Sequence, residues 1–306
     1  MKRKRNIVKV SDIRRKNVAE YFVSYSKPLR EWLYKLVAEY KRIGDYPLFP
    51  SVLLSSYYED RRDKEIACFV GSLIYDELMR ETGGKRKNAG DVIKNVSEMR
   101  EMIGVSPFDW FNHRRYVNLT SGLNLEKWTG GVKNWRIAKL MDYLYGILHR
   151  VEVDDKGYGH YVFPCIEAYF MEDKSRLDAI SDLYYQKDYN INLLLHVLSS
   201  SGGFSIGVWS ITPLELKSPL THEFRQFIKT WFPEYRYWRE ADDAIRLFGF
   251  EGNCDLFYAW LAWRKLAKRN PDGCKRLATI YTNRYERCAY RIKVKWEDLF
   301  PPIDLE

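Results

Sequence analysis

The chain has 306 residues, 46% of them hydrophobic and 30% charged, with a formal net charge of +9. This size allows one large domain or two lobes. No run of about 18 apolar residues occurs, so we expect no transmembrane helix and no membrane partner. The basic start lacks the long apolar region of a secretory signal, and the five cysteines are widely spread. Both features are typical of a cytoplasmic protein, nucleoid-associated if it binds DNA.

Apolar residues recur at helical intervals through most of the chain. The pattern predicts helices over 18–44, with Pro28 opening a second helix, and over 63–84, with Gly83 and Gly84 at the end. It also predicts a helix ending near Ile103, one over 132–151, and a loop over 153–161. Further helices are predicted over 174–186, 190–200, 220–232, 237–250 and 254–269, and a short strand over 291–296.

We therefore expect an all-α protein of many short helices joined by tight loops. The loop near 152–160 is the best candidate boundary between two lobes. The predicted organisation is a basic N-terminal arm over 1–16, a helical lobe over 17–152, a second over 153–290, and a C-terminal tail over 291–306.

The segment from Ser205 to Phe227 contains residues that interrupt a helix, which a simple core helix would lack. Gly207 permits a turn or a close approach of the backbone, and Pro213 and Pro219 interrupt any helix. Thr221 is a plausible N-cap of the helix that follows, with Glu223 in its first turn. His222 then fills space, and the segment needs no chemical role on this interpretation.

Several short motifs follow one another over about 45–265. They are Tyr46–Pro50, Asp60–Ala67, Phe111–Arg114, Ile206–Trp209, Ile211–Pro213, Pro219–His222, Trp238, Ala241, Ile245 and Asp255–Phe257. The order of these motifs resembles a family of uncharacterised proteins related to the helix-hairpin-helix DNA glycosylases, the endonuclease III-like superfamily.

The resemblance implies an all-α, two-lobed fold with a cleft, a hairpin that docks on the DNA backbone, and a target base flipped out of the stack. In that family an Asp precedes a Thr-His pair at a helix start, and some members add a reactive Lys. This chain has Leu220 or Thr221 at the Asp position, so Glu223 is the nearest acid. The candidate catalytic residues are therefore Glu223, Lys217, Thr221 and His222, and the candidate base pocket is formed by Trp209 and Phe224.

The positive charge favours a polyanionic partner, and nucleic acid is the commonest one. The best stand-in for the family's hairpin is the small polar loop 199–203, whose N–H groups could bind a phosphate. The basic N-terminus is either an arm on the phosphate backbone or a solubilising tail. The predicted nucleic-acid contacts are Lys2, Arg3, Lys4, Arg5, Arg14, Arg15, Lys16, Arg114, Arg115, Ser201, Gly202 and Gly203.

No cofactor or metal site is predicted. Cys254, Cys274 and Cys288 lack the short CxxC pair of iron–sulfur sites, and no nucleotide-binding fingerprint occurs. The acids of 60–65 more plausibly cap a helix than form a paired-carboxylate site.

Three hypotheses stay open: an enzyme acting on a DNA base, a DNA-binding protein that has lost the catalytic Asp, and a helical interaction scaffold.

Overall fold

The computed structural model describes residues 27–43, 49–81, 89–161, 165–185, 187–200, 205–212, 216–217, 219, 221–231, 253–284 and 300–306. Helices dominate this part of the chain, which confirms the predicted helical class. None of the described helices is both long and apolar enough to cross a membrane. The predicted helix over 237–250 and the predicted strand over 291–296 lie outside the described residues.

The α-helices are α1 (Lys27–Arg42), α2 (Pro50–Ser55), α3 (Arg61–Glu81), α4 (Ala89–Ile103), α5 (Pro107–Asn112), α6 (Asn134–Leu148), α7 (Ile166–Glu172), α8 (Asp178–Ser181), α9 (Lys187–Leu198), α10 (His222–Trp231), α11 (Asn253–Arg269) and α12 (Pro271–Arg284). Short 3₁₀ helices cover Arg115–Leu119, Gly122–Glu126 and Lys174–Leu177. The strands are β1 (Trp128–Thr129), β2 (Val132–Lys133), β3 (Val151–Val153) and β4 (Gly159–Tyr161).

The strands form two antiparallel hairpins, β1–β2 and β3–β4. The second hairpin occupies most of the region predicted as a loop. Its turn is closed by the Asp154 carboxylate, which accepts hydrogen bonds from the backbone N–H groups of Lys156 and Tyr158. Gly157 takes the positive φ of 81° that the turn requires. The sequence pattern missed both hairpins because strands of two or three residues are too short to show alternation.

The chain divides into two compact units, one formed by Met1–Asp45 with Leu220–Glu306 and the other by Tyr46–Pro219. The predicted lobe boundary near residue 152 lies inside the second unit. That stretch does not separate two cores. It forms a tight hairpin, and the helices before and after it, α6 and α7, pack against each other.

The first unit contains α1, α10, α11 and α12. Buried residues of α1 recur at helical spacing, and this face packs on α11. Indole rings fill the contact: Trp32 lies 6.0 Å from Trp263 and 6.5 Å from Trp231, centroid to centroid. The indole N–H of Trp32 donates to the carbonyl of Pro301 at 3.2 Å, which ties the C-terminal residues to this core.

The second unit is organised around α3, whose middle turns are buried on every side. The closest neighbour is α2, and Gly71 makes this approach possible. A Cβ at that position would lie 2.5 Å from the Cα of Ser51. Further along α3, Asp76 and Glu77 are fully buried and pair with the Arg136 guanidinium of α6. A buried ion group of this kind is tolerated because its partners compensate the lost hydration.

Candidate functional site

Residues 205–212, here called the anchored segment, fold back onto the end of α9. The backbone N–H groups of Ile206 and Trp209 donate to the last two carbonyls of that helix, at 2.7 and 2.8 Å. These carbonyls have no partner within the helix, so the segment satisfies them. Gly207 turns the chain at a φ of +68°, the left-handed region that favours glycine.

Two buried glutamates from different helices hold the side chains of the anchored segment. The indole N–H of Trp209 donates to Glu65 Oε1 of α3 at 2.5 Å. The hydroxyl of Ser210 donates to Glu167 Oε1 of α7 at 2.6 Å, and its backbone N–H donates to the same oxygen. The other oxygen of Glu167 pairs with the guanidinium of Arg61 at 2.6 Å. Because the side chain of Arg61 is mostly exposed, this chain of contacts links the surface to the anchored segment.

Glu65 combines burial with a second acid nearby. Burial raises the pKa of this carboxyl to about 7, and the charge of Glu167 adds to the effect. The Trp209 indole N–H and the positive charge of Arg61 act in the opposite direction. Glu65 therefore exchanges a proton close to neutral pH. The sequence singled out this acid, but it favoured a role in capping the helix, which Asp60 performs by accepting from the N–H of Arg62 at 2.8 Å.

His196 on α9 supports the stretch that follows the anchored segment. Its ring is fully buried, and Nε2–H donates to the carbonyl of Lys217 at 2.9 Å. Burial lowers the pKa of His196 to about 4, so the ring is neutral at physiological pH. Lys217, a predicted catalytic residue, is thus held through its main chain, and the residue itself is exposed.

Trp209 and Phe224, the residues predicted to form a base pocket, are both buried in the structure. Trp209 is 2% exposed and packs between Phe69 and Phe170, at 6.1 and 6.2 Å between ring centroids. Phe224 is 0% exposed and packs on Trp260. The two rings belong to different units and fill the core of each, because large apolar rings gain most from full burial.

Thr221 caps α10, as the sequence predicted. Its hydroxyl oxygen accepts a hydrogen bond from the backbone N–H of Phe224 at 3.0 Å. His222 is the first residue of α10 and Glu223 the second, so the acid lies in the first turn. The side chains of His222 and Glu223 fall outside the described part of the structure.

Most of the predicted nucleic-acid contacts also fall outside the described residues. Arg114 and Arg115 are described, and both are exposed. Arg114 has a positive φ of 52°, which is unusual for a residue other than glycine. Its guanidinium lies 3.3 Å from Asp142 and 5.2 Å from the ring centre of Tyr145. The positions that the structure does not describe are Lys2, Arg3, Lys4, Arg5, Arg14, Arg15, Lys16, Ser201, Gly202 and Gly203.

A second basic surface was not singled out from the sequence. The helices α11 and α12 pack together and are joined through Asn270 alone. Residues 258–279 contain six basic side chains and a single acid, Asp272. We call this surface the basic helix pair. Five of its cations are exposed, namely Arg264, Lys268, Arg269, Lys275 and Arg276. The run RKLAKR, followed by KR six residues later, was the signal that could have identified it.

The connection between the two helices is rigid. Asn270 accepts a hydrogen bond from the N–H of Gly273 through Oδ1 at 3.0 Å, and Pro271 starts α12. Arg269 pairs with Asp304 at 3.0 Å, and Arg264 lies 5.1 Å from the ring centre of Trp260. The cations are therefore presented on a fixed frame.

In the described part of the chain, no group of three or more His, Cys, Asp or Glu residues could hold a metal ion. Of the three C-terminal cysteines, Cys274 is buried, which raises the pKa of its thiol to about 11. The side chains of the other two lie outside the described residues.

No protein-family model, no curated protein and no solved structure matches the chain.

Proposed function

We propose that the chain is a DNA-binding protein with a fold similar to that of the helix-hairpin-helix DNA glycosylases. The observation that carries the proposal is the basic helix pair. Five exposed cations and one acid within residues 258–279 of two adjoining helices produce a local positive potential that attracts a polyanion. The two compact units and the resemblance of the motifs around 205–222 support DNA as that polyanion.

The geometry of the basic helix pair suits the phosphate backbone. Lys268 follows Arg264 by four residues on α11, and Lys275 and Arg276 follow on α12, so the charges are spread over two helices. Contacts of this kind release counterions from DNA and need no particular base sequence. The surface therefore supplies affinity, and sequence or lesion specificity has to come from other residues.

The proposal has a finer form, in which the protein acts on a flipped base. Its support is the start of α10, where Thr221 caps the helix and Glu223 follows in the first turn. The family that the sequence resembles places its catalytic acid at a comparable helix start. The partial positive charge of a helix N-terminus favours an ionised carboxylate there.

Salt-dependent binding tests the DNA proposal. We expect Lys268→Glu/Lys275→Glu to weaken duplex binding at least about tenfold at moderate salt and to lower the slope of log K against log salt by about two. The matched control is Lys94→Glu/Lys156→Glu, which makes the same change in net charge at exposed positions of the other unit. An equal loss in both double variants would show a general charge effect and contradict a dedicated surface.

Cleavage of end-labelled oligonucleotides tests the finer form. Each substrate carries one lesion: uracil, 8-oxoguanine, hypoxanthine, an alkylated purine or an abasic site. Breaks that require hot alkali and disappear in Glu223→Gln would establish a glycosylase. Breaks without alkali that disappear in Lys217→Ala would establish a lyase. Binding without any break would contradict the enzymatic form and leave a non-catalytic DNA-binding protein.

A further inference from the structure

The first hairpin of the second unit carries an unusually exposed tryptophan. Trp128 begins β1, pairs with Lys133 of β2, and is 40% exposed. An indole that is 40% exposed can contact a ligand as well as its own hairpin. A second indole, Trp135, is also exposed in the first turn of α6, which follows β2 directly.

The hairpin that carries Trp128 is held rigidly. Gly130 and Gly131 form its turn with positive φ angles of 56° and 75°. They lie so close to α4 that a Cβ on Gly130 would be 2.8 Å from the carbonyl oxygen of Asn95. After the hairpin, the buried side chain of Asn134 accepts from the Thr129 hydroxyl at 2.7 Å and donates to two backbone carbonyls. Trp128 therefore stands on a fixed support and loses little entropy on binding a ligand.

Two ion-paired cations lie over the ring of this indole. The guanidinium of Arg80 lies 5.7 Å from its ring centre, and the ammonium of Lys133 lies 6.0 Å from it. Each cation is positioned by a carboxylate, Arg80 by Glu77 and Lys133 by Glu126 at 2.8 Å. Between residues 115 and 139 the sequence contains one acid, Glu126, and five basic residues. Of these, Arg115, Lys127 and Lys139 are exposed and Lys133 is half-buried. The fifth, Arg136, is buried in its ion pairs with Asp76 and Glu77 and adds no charge to the surface.

We propose that Trp128 is a stacking platform for an unpaired base of single-stranded DNA, with the neighbouring cations on the adjacent phosphates. An aromatic face flanked by Lys and Arg is the usual combination for binding single strands, because every base has a π face and every nucleotide a phosphate. A base within a duplex is already stacked on both faces and is not available. The inference rests on the proposed DNA-binding function for its partner, but it uses residues far in sequence from the basic helix pair.

Fluorescence anisotropy with a labelled oligo(dT) and a labelled blunt-ended duplex tests the platform. We expect Trp128→Ala to weaken oligo(dT) binding about 5- to 100-fold and to leave duplex binding within about twofold, since stacking on one base is worth about 1–3 kcal/mol. Trp128→Phe keeps a ring and should recover most of the affinity. The matched control is Tyr158→Ala on the second hairpin, an exposed ring with no cation over it among the described residues.

The outcomes separate this inference from the proposed function. Wild-type protein that binds neither strand form would overturn both. Normal binding of oligo(dT) by Trp128→Ala, in a wild-type protein that binds both forms, would overturn the platform alone. An equal loss in Tyr158→Ala would also overturn it. Tighter binding of oligo(U) than of oligo(dT) would reject DNA as the ligand of Trp128. Circular dichroism of each variant establishes that it is folded.

Discussion

Two buried titratable groups, one supporting the anchored segment and one supporting the stretch that follows it, should give the protein opposite pH dependences. The substitutions Glu65→Gln and His196→Gln each remove one of the two titratable groups. Glutamine keeps an acceptor for the indole N–H of Trp209 in the first variant and a donor for the Lys217 carbonyl in the second. Each variant therefore changes the protonation and preserves the hydrogen bond.

The contribution of Glu65 to the stability of the folded protein falls as the pH rises. Its pKa is raised from an ordinary value of 4.5 to about 7 in the folded protein, so the folded state holds the proton more tightly than the unfolded chain does. Its contribution to stability is fully present below pH 4.5 and is lost as the pH rises to about 7. Each pKa unit is worth about 1.4 kcal/mol, which makes the loss about 3 kcal/mol.

The contribution of His196 to stability changes with pH in the opposite direction. Its pKa is lowered from 6.5 to about 4, so the unfolded chain holds the proton more tightly. The stability contributed by the neutral ring is present above pH 6.5 and is lost as the pH falls towards 4, again by about 3 kcal/mol. Between pH 4.5 and 6.5 the two pH dependences nearly cancel.

Urea denaturation followed by tryptophan fluorescence, repeated from pH 4.5 to 7.5, measures the effect. Relative to wild type, the free energy of unfolding of Glu65→Gln should rise with pH, and that of His196→Gln should fall. The double variant should run nearly parallel to the wild-type protein. Parallel curves for Glu65→Gln and wild type would refute the reasoning, since they would mean that Glu65 titrates alike in the folded and unfolded states.

Two further predictions concern local structure. Thr221→Ala should lower the free energy of unfolding by about 1 kcal/mol by removing the cap of α10, whereas Thr221→Ser should retain most of it, as measured by urea denaturation. Gly71→Ala should cost about 1–3 kcal/mol or more, because its Cβ would meet the backbone of Ser51, and a lowered thermal midpoint would show this. An unchanged midpoint would rule out the close approach of α2 and α3.

Helical periodicity located the long helices because one apolar face repeats over several turns. The predicted start of a helix at Pro28 agrees with α1, which begins at Lys27. Short elements carried no such signal: α2 and α5 have six residues each, and the hairpin strands have two or three. These elements are stabilised by contacts with residues distant in sequence, so a local pattern could not reveal them.

The candidate site shows the same division. The Thr221 cap, the turn at Gly207 and the excess of positive charge were readable from the sequence, because each depends on neighbouring residues or on simple counts. The sequence also marked Glu65 and Trp209 as members of motifs, but not as partners. They are 144 residues apart, and only the packing of the anchored segment onto α3 joins them.

Exposure was the property that the sequence could not assign. The chain has ten tryptophans, and the sequence does not distinguish the buried ones from the exposed ones. The motifs assigned Trp209 to a base pocket, and no motif singled out Trp128. In the folded chain Trp209 lies in the core and Trp128 on the surface. The sequence by itself determined a helical, basic chain with a capped helix at His222. Only the tertiary structure decided which rings and charges face water, because burial depends on elements that come together from distant parts of the chain.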